Sequence, residues 1–300
     1  MKETEEMKTK KIVAGVAIAL AAALMFTGAM FFTACGDDTG NGITRSELSG
    51  TVNVTGSTSI QPVMGALADA FMEMYPDVTI NISGTGSGQG VTDTQADKND
   101  FGMASRALDA EEIAGGVVSK KIADDGIALV VNTSNTSTTN VTADELYDLY
   151  VSDTAIGSVT TAVGREDSSG TRSAFDELVA DSDGNALEEA TYSSNVVIQN
   201  STGAVMQTVA STSNAIGYIS LGSVDDTVKA VSFEGVEPTV ANIKNGTYKL
   251  ARPFNLVLKG TDVESAVADM SAPAQAFYYF IMSPDGQEII AEDGCISLYL

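Results

Sequence analysis

The sequence predicts an α/β protein folded as two lobes with a ligand cleft between them. Three observations carry this prediction. Short apolar strands alternate with helical stripes and with glycine- or hydroxyl-rich turns, the pattern of a mostly parallel sheet flanked by helices. The chain is predicted to cross from a first to a second group of elements at a Ser/Thr/Asn tract, residues 132–140. It is predicted to cross back at a long extended run, residues 248–258, which is broken by Pro253.

The first group of elements begins near Gly50. Residues 51–55 alternate Val52 and Val54 with polar residues, which is the period of a half-buried strand. A helix is predicted at residues 60–75, because its apolar residues recur at helical spacing. That stripe comprises Val63, Leu67, Ala70, Phe71 and Met74. The other strands predicted in this group span residues 78–82, 100–105 and 127–131.

The second group opens with a capped helix that ends near Tyr150. Thr142 precedes this helix and Glu145 completes a capping box. Two more strands, at residues 195–199 and 215–219, and one more helix, at residues 204–210, are predicted in this group. Two closing helices, at residues 274–282 and 286–291, follow the return crossing. The two crossings then divide the chain into lobe I, at residues 50–131 and 253–300, and lobe II, at residues 132–252.

Composition excludes several classes of function. The chain has 300 residues, a net charge of −24 and no histidine. The acidic balance argues against nucleic acid, and the absence of histidine removes Ser-His-Asp and Cys-His catalysis and histidine zinc sites. A small anion stays possible, because distant surface charge is screened within about 8 Å. We expect no catalytic residue, no metal and no cofactor.

The N-terminus predicts an exported protein. Basic residues precede an apolar run at residues 12–32, and small residues lead into Cys35, a pattern that resembles the signal peptide and lipobox of bacterial lipoproteins. Residues 1–34 would be the signal peptide, Cys35 the acylated first residue, and residues 35–49 a flexible tether. The alternative is a retained membrane helix. Both place the rest of the chain outside the cytoplasmic membrane.

Cysteine usage argues against a disulfide framework. The chain has 2 cysteines, and acylation of Cys35 would leave Cys295 without an intramolecular partner. We therefore predict that Cys295 is a small buried hydrophobic residue. The acidic pairs Asp124–Asp125 and Asp225–Asp226 are predicted to lie on solvated faces.

The stretch from Arg165 to Thr171 has the parts of a small-anion site. Arg165 offers a planar charged fork, and Ser169 and Thr171 offer hydroxyls at the start of a predicted helix. Gly170 allows a ligand to approach the backbone, and first-turn amides are unpaired donors at the positive end of the helix dipole. The other interpretation of the stretch alone is a serine N-cap beside an ordinary surface arginine.

Three such turns occur where a strand passes into a helix, at residues 56–59, 86–90 and 168–171. A fully dehydrated phosphate-sized anion needs about a dozen donors, which hydroxyls and helix-start amides can supply. Nucleotide binding is the alternative for glycine-rich turns. However, the chain has no GxxxxGK[ST] motif, and the glycines from Gly84 to Gly88 lack the dinucleotide spacing.

Several segments together resemble the phosphate-binding lipoproteins of the phosphate-specific ABC transporter, in the periplasmic-binding-protein class. These segments are residues 54–59, 84–88, 100–106, 165–171, 215–219 and 277–294. The resemblance implies a type II-like fold of two α/β lobes and capture of inorganic phosphate in the cleft between them. It also implies delivery to the permease of an ABC importer by a lipid-anchored monomer on the extracytoplasmic face.

The resemblance also implies the ligand contacts. Arg165 would pair with the anion and be held in place by Asp167. The expected donors are Ser57, Thr58 and Ser59 from the first turn, Ser87 from the second, and Ser169, Gly170 and Thr171 from the third.

Arg106 is where the sequence departs from the usual pattern of that family. Many members have an aspartate at this place, which accepts the phosphate proton and excludes sulfate. A shorter branch of the family has Ser-Arg here, as this chain does. Arg106 is therefore a candidate ligand, and its alternative role is to pair with an acidic neighbour.

Two other functions stay open at this point. The same fold could bind a different oxyanion, such as sulfate, molybdate or tungstate. The chain could also be a phosphate-ester hydrolase with Ser169 or Thr171 as nucleophile. Without histidine, such an enzyme would need a lysine, carboxylate or metal partner for that hydroxyl.

Overall fold

The computed structural model describes residues 48–299, so the predicted signal peptide, Cys35 and most of the tether lie outside it. The strands are β1 (Gly50–Gly56), β2 (Val78–Gly84), β3 (Phe101–Ala104), β4 (Val117–Asn132), β5 (Asn140–Val141), β6 (Thr161–Arg165), β7 (Val197–Gln199), β8 (Ala215–Ser220), β9 (Val228–Phe233), β10 (Ala251–Lys259) and β11 (Ile296–Ser297). The helices are α1 (Gln61–Met74), α2 (Ser87–Gln95), α3 (Ala110–Ala114), α4 (Ala143–Ser152), α5 (Gly170–Leu178), α6 (Thr202–Ser211), α7 (Val240–Lys244), α8 (Val263–Ala268), α9 (Ala272–Ile281) and α10 (Pro284–Glu292). Between residues 48 and 299, no helix is both long and apolar enough to cross a membrane.

The strands form a mixed sheet with parallel outer parts. The main path of neighbouring strands is β2-β1-β3-β10-β4-β8-β6-β7. At one end β1 runs parallel to β2 and β3, and at the other β6 runs parallel to β7 and β8. In the middle, β4 runs antiparallel to both β10 and β8. Because β4 pairs with β10 through its first half and with β8 through its second half, the carboxyl ends of the two parallel groups point toward each other.

Two main hydrophobic cores hold the fold. In the first, the Phe71 ring of α1 packs 5.2 Å from the Phe277 ring and 5.6 Å from the Phe280 ring of α9. In the second, the rings of Phe175 on α5 and Tyr218 on β8 stack with their centroids 4.0 Å apart. Such aromatic pairs add about 0.5–1.5 kcal/mol each to the stability gained from burial. Two cores of this kind make two lobes.

The chain passes between the two cores inside β4. Ala123 packs in the first core, whereas Ile127, Leu129 and Val131 pack in the second. The return passage lies at the start of β10, between Leu250 in the second core and Phe254 in the first.

Local signals in the sequence explain several boundaries. The Thr142 hydroxyl accepts a hydrogen bond from the Glu145 amide at 3.2 Å, and the Glu145 carboxylate accepts one from the Thr142 amide at 2.9 Å. The predicted capping box of α4 is therefore confirmed. In α1 the predicted stripe faces the first core, where Val63, Leu67, Phe71 and Met74 are buried.

Candidate functional site

Four strand-to-helix turns converge between the two cores. Three are the predicted turns, which lead from β1 into α1, from β2 into α2 and from β6 into α5. The fourth leads from β7 into α6, which starts at Thr202 with Ser201 as its N-cap. The first amides of these helices have no intrahelical acceptor, and they lie at the positive end of each helix dipole. The region between the cores is therefore rich in donors.

On the side of the first core, three serine hydroxyls form a connected group. Ser57 Oγ donates to Ser105 Oγ at 2.9 Å, and the hydroxyls of Ser87 and Ser105 lie 3.3 Å apart. The Ser105 amide also donates to Ser87 Oγ at 3.1 Å. All three residues are buried. The end of β3 is thereby joined to the starts of α1 and α2.

A second group of hydroxyls joins the two sides. Ser59 Oγ lies 2.9 Å from Thr171 Oγ1 and 2.9 Å from Thr202 Oγ1. Thr58 Oγ1 lies 3.3 Å from Thr202 Oγ1 and accepts from the Thr202 amide at 3.2 Å. These bonds connect residues more than 100 positions apart in the sequence, and they link the two sides of the region between the cores.

Arg165 is the buried cation of this region. Its side chain is 2% exposed, yet each edge of its guanidinium has partners. One edge donates to Glu166, through Nε at 2.8 Å and Nη2 at 2.9 Å. The other edge points to the hydroxyls of Thr58, at 3.2 Å from Nη2, and Thr202, at 3.4 Å from Nη1. The fork thus presents charge to the hydroxyl cluster while one carboxylate fixes its orientation.

The backbone under Arg165 is also fixed. Its amide donates to the hydroxyl oxygen of Tyr218 at 3.2 Å. Burial raises the pKa of Tyr218 above its ordinary value, so that hydroxyl stays neutral. The end of β6 is therefore anchored to β8 at the point where the guanidinium leaves the strand.

The start of α5 is both a serine-capped helix end and a turn with free donors. Ser169 is the N-cap, and its Oγ accepts from the Arg172 amide at 3.2 Å. The same hydroxyl is buried and keeps its hydrogen as a donor. Gly170 lies so close to the opposite side that an added Cβ would be 2.3 Å from Ser87 Oγ and 2.9 Å from Ser105 Oγ. A side chain larger than that of glycine would therefore require Ser87 and Ser105 to move.

Arg106 does not join the cluster. Its guanidinium pairs with Glu112 through two hydrogen bonds, of 2.7 Å and 2.6 Å, and Nη1 also donates to the Ala107 carbonyl. Glu112 is held in place because it forms the capping box of α3 with Asp109. The acidic neighbour Glu112 is the partner of Arg106 in this arrangement, which is the alternative role given to Arg106 from the sequence.

Asp167 is not the residue that holds Arg165. Its side chain is 94% exposed and pairs with Arg172. The carboxylate on Arg165 belongs to Glu166, whose side chain is 23% exposed. The expected supporting role therefore moves by one position, because the turn after β6 directs Glu166 along the guanidinium and Asp167 outward.

Three residues of the cluster were absent from the predicted set: Ser105, Thr202 and Glu166. Ser105 closes the strand predicted at residues 100–105, and Thr202 lies in a strand-to-helix turn like the other three. Thr202 could have been found by treating every such turn alike. Nothing in the sequence distinguishes Glu166 from Asp167.

The cluster has the composition of a site for a small oxyanion. Its donors are hydroxyls and helix-start amides around one arginine, so they can surround an anion on several sides. Among the hydrogen bonds of residues 48–299, neither the Ser169 nor the Thr171 hydroxyl meets a carboxylate or lysine that could act as a base. The arrangement is suited to holding an anion.

Comparison with known proteins agrees with this geometry. A family model described as a PBP superfamily domain matches residues 42–285. The chain is 39% identical over 138 residues to the phosphate-binding protein PstS 2 of Streptococcus agalactiae serotype V, and it spans 45% of that relative's length. It is 28% identical over 265 residues to the phosphate-binding protein PstS of Bacillus subtilis, and this match covers 83% of this chain and 81% of the relative.

Two solved structures extend the comparison. A Clostridium perfringens protein, described as a phosphate ABC transporter substrate-binding protein with bound phosphate, has a TM-score of 0.74 and 37% identity. An ABC-type phosphate transport receptor from Vibrio cholerae has a TM-score of 0.63 and 30% identity. Each likeness covers 83% of this chain and 100% of the other.

Proposed function

This chain belongs to the family of phosphate-binding proteins of ABC transporters, in the PBP superfamily, and from that premise we propose that it captures inorganic phosphate and passes it to an ABC importer. The observation that carries the proposal is that the two edges of the Arg165 guanidinium have different partners. One edge is neutralised by Glu166, and the other faces hydroxyls contributed by both lobes.

In the proposed complex the anion is dehydrated and lies among these hydroxyls. Hydroxyl hydrogens rotate, so groups that now bond to one another at 2.9–3.3 Å can turn toward an anion. We assign the contacts to Arg165, to donors from all four turns and to the serine that follows β3. The donors are Ser57, Thr58, Ser59, Ser87, Ser105, Ser169, Gly170, Thr171 and Thr202.

Charge balance supports a site that works mainly through neutral donors. The Arg165–Glu166 pair has no net charge, so the anion would be stabilised by hydroxyls, amides and helix dipoles. A hydroxyl oxygen can also accept a hydrogen bond, which a protonated phosphate offers and sulfate does not. We propose that this acceptor takes the place of the aspartate that many family members have where Arg106 stands.

Release and uptake would follow from motion of the two lobes. We propose that lobe I comprises the chain up to β4 and again from β10, with lobe II between them. The hinge would be the pair of strands that passes between the cores. In that account the hydroxyl bonds across the cleft belong to the closed form, which would dock on the permease as a monomer.

The N-terminal pattern completes the proposal. Acylation of Cys35 would hold the protein on the extracytoplasmic face of the membrane, with residues up to 49 as a tether. Metabolic labelling with a fatty acid tests this, and Cys35→Ser should abolish the label. Label that persists in Cys35→Ser would contradict the anchor.

A catalytic role is not part of the proposal. Release of nitrophenol from its phosphate ester, with and without divalent metal, should not exceed that of a Ser169→Ala/Thr171→Ala variant. Turnover that depends on either hydroxyl would instead indicate a hydrolase.

Competition between anions tests the proposed ligand. In calorimetric titrations of the full chain in detergent, phosphate should bind, and a large excess of sulfate should not displace it at two pH values. Binding of sulfate in preference to phosphate would identify the site as one for another oxyanion.

A further inference from the structure

A buried ion pair lies where the two cores meet, outside the cluster described above. Arg252 of β10 and Asp125 of β4 are register partners on antiparallel strands. Arg252 donates to Asp125 Oδ2 through Nε at 3.1 Å and Nη2 at 2.9 Å, and the two side chains are 1% and 0% exposed. Ser220 of β8 donates to the other carboxylate oxygen at 2.8 Å.

Burial at this place is costly for both charges. Burial raises the pKa of the Asp125 carboxyl, and the charge of Arg252 and the Ser220 hydroxyl oppose that rise. Buried ion pairs are frequently no more stabilising than apolar residues of the same size, since desolvation offsets their attraction. Stability alone therefore does not account for this pair.

The third nitrogen of Arg252 reaches the hydroxyl cluster. Nη1 donates to the backbone carbonyl of Ser105 at 3.3 Å. On the same strand, Asn255 Nδ2 donates to the carbonyl of the next residue, Arg106, at 2.8 Å. Two successive carbonyls after β3 are thus held by two buried side chains of β10.

Ser105 is the central hydroxyl of the group that also contains Ser57 and Ser87. Its amide is bonded to Ser87 Oγ on one side of the residue, and its carbonyl, on the other side, is bonded to Arg252 Nη1. A shift of the Ser105 backbone would carry its hydroxyl away from Ser57 and Ser87. The fork of Arg252 can satisfy Asp125 and the Ser105 carbonyl together because its donors point in fixed directions.

We propose that Arg252 is a positioning residue of the anion site, which holds the Ser105 backbone through its carbonyl so that the Ser105 hydroxyl stays between Ser57 and Ser87. Asp125 neutralises and orients Arg252 for this task. The effect on phosphate affinity rests on the proposed function. The effect on the position of the Ser105 backbone can be measured without a ligand.

Arg252→Lys in the full chain, kept in detergent, tests the role. Lysine keeps a positive charge beside Asp125 but lacks the planar fork. Phosphate affinity by calorimetry should fall about tenfold, the equivalent of one hydrogen bond. The control is Tyr248→Phe. It removes a buried hydrogen bond to the carbonyl of Ile127 on β4, the strand that carries Asp125, and it does not touch Ser105. Its phosphate affinity should stay within about twofold of wild type.

The background variant Ser105→Ala distinguishes positioning from general damage. If Arg252 acts through the Ser105 hydroxyl, Arg252→Lys should weaken binding much less in that background than in the wild type. An equal loss in both backgrounds, or wild-type affinity in folded Arg252→Lys, would overturn the inference.

A ligand-free readout separates this inference from the proposed function. Hydrogen exchange of the Ser105 amide should speed up about tenfold in Arg252→Lys and stay unchanged in Tyr248→Phe. If the wild type binds no phosphate, the proposed function fails, and the exchange result still decides the role of Arg252. If Arg252→Lys does not fold, Asp125→Asn/Arg252→Gln, which removes both charges, takes its place in the same measurements. Unchanged exchange of the Ser105 amide in the folded variant would refute the positioning role.

Discussion

Arg165 and Glu166, adjacent in the sequence, form a two-point ion pair in which Nε and Nη2 of the arginine donate to the two carboxylate oxygens at 2.8 Å and 2.9 Å. Glu166 occupies one edge of the guanidinium, and the other edge faces the hydroxyls of Thr58 and Thr202. Glu166 therefore sets the direction of the charge that faces the cleft.

Glu166→Ala should weaken phosphate binding. Arg165 would lose two charge-assisted hydrogen bonds, worth about 1.5–3 kcal/mol each, and removal of a negative charge near the anion would offset part of that loss. We expect a net loss of about tenfold by calorimetry. The matched control is Asp167→Ala, which should change affinity by less than about twofold because its pair with Arg172 is exposed. A larger effect of Asp167→Ala than of Glu166→Ala would restore the assignment made from the sequence.

Arg106→Gln should leave the site intact. Because the guanidinium is bonded to Glu112 and the Ala107 carbonyl, phosphate affinity should stay within about threefold of wild type. The thermal midpoint should fall by about 2–4 °C, the effect of about 1 kcal/mol in a protein of this size. Glu112→Gln should lower it similarly. An affinity loss above about tenfold would place Arg106 in the binding site.

Gly170→Ala should prevent full closure. A methyl group there would lie 2.3 Å from Ser87 Oγ, and relief of such a contact costs about 1–3 kcal/mol of binding free energy. Small-angle scattering with phosphate should show a compact wild type and a less compact variant. Gly203→Ala is the control, because it also lies in a first helical turn but has no atom within 4 Å of its added Cβ. Equal compaction of both variants would argue against a closed-form contact at Gly170.

Asp293 should make stability depend on pH. Burial raises the pKa of its carboxyl to about 6, whereas an unfolded aspartate titrates near about 3.9. The folded state therefore holds this proton more tightly. The stability that it contributes is complete below the unfolded pKa and is lost as pH rises through the folded pKa.

Asp293→Asn keeps the side chain neutral, so it should be more stable than wild type at neutral pH and no more stable near about pH 4. Thermal unfolding across this range measures the difference. Asp226→Asn, at an exposed position, controls for the loss of one negative charge from a chain of net charge −24. Parallel pH profiles for wild type and Asp293→Asn would contradict the assignment.

The elements best predicted from the sequence are those with uniform periodicity. The alternating valines of β1 and the stripe of α1 each face one core, so local spacing was sufficient to find them. Cys295 is buried, as predicted. The first half of β4 was missed because its charged residues hide the strand pattern, although its backbone pairs with β10 along the whole length.

Charged residues show where local reasoning ends. Asp125 was predicted to be solvated, yet it is 0% exposed. Its partner Arg252 lies 127 positions away in the sequence, so local spacing could not reveal the pair. Arg106 and Glu166 likewise take roles set by side-chain direction, which no spacing rule specifies. The hydroxyl-rich turns could be predicted because residue type and backbone position are enough to define a donor.

The most direct test of the central claim is the phosphate affinity of Arg165→Ala, measured by calorimetry beside wild type and Arg106→Ala. The account predicts that Arg165→Ala loses about 2–5 kcal/mol of binding free energy, the range for truncating one partner of a buried charge pair. Arg106→Ala should bind nearly as wild type does. A loss of less than about tenfold in Arg165→Ala would place the anion away from this arginine and contradict the account.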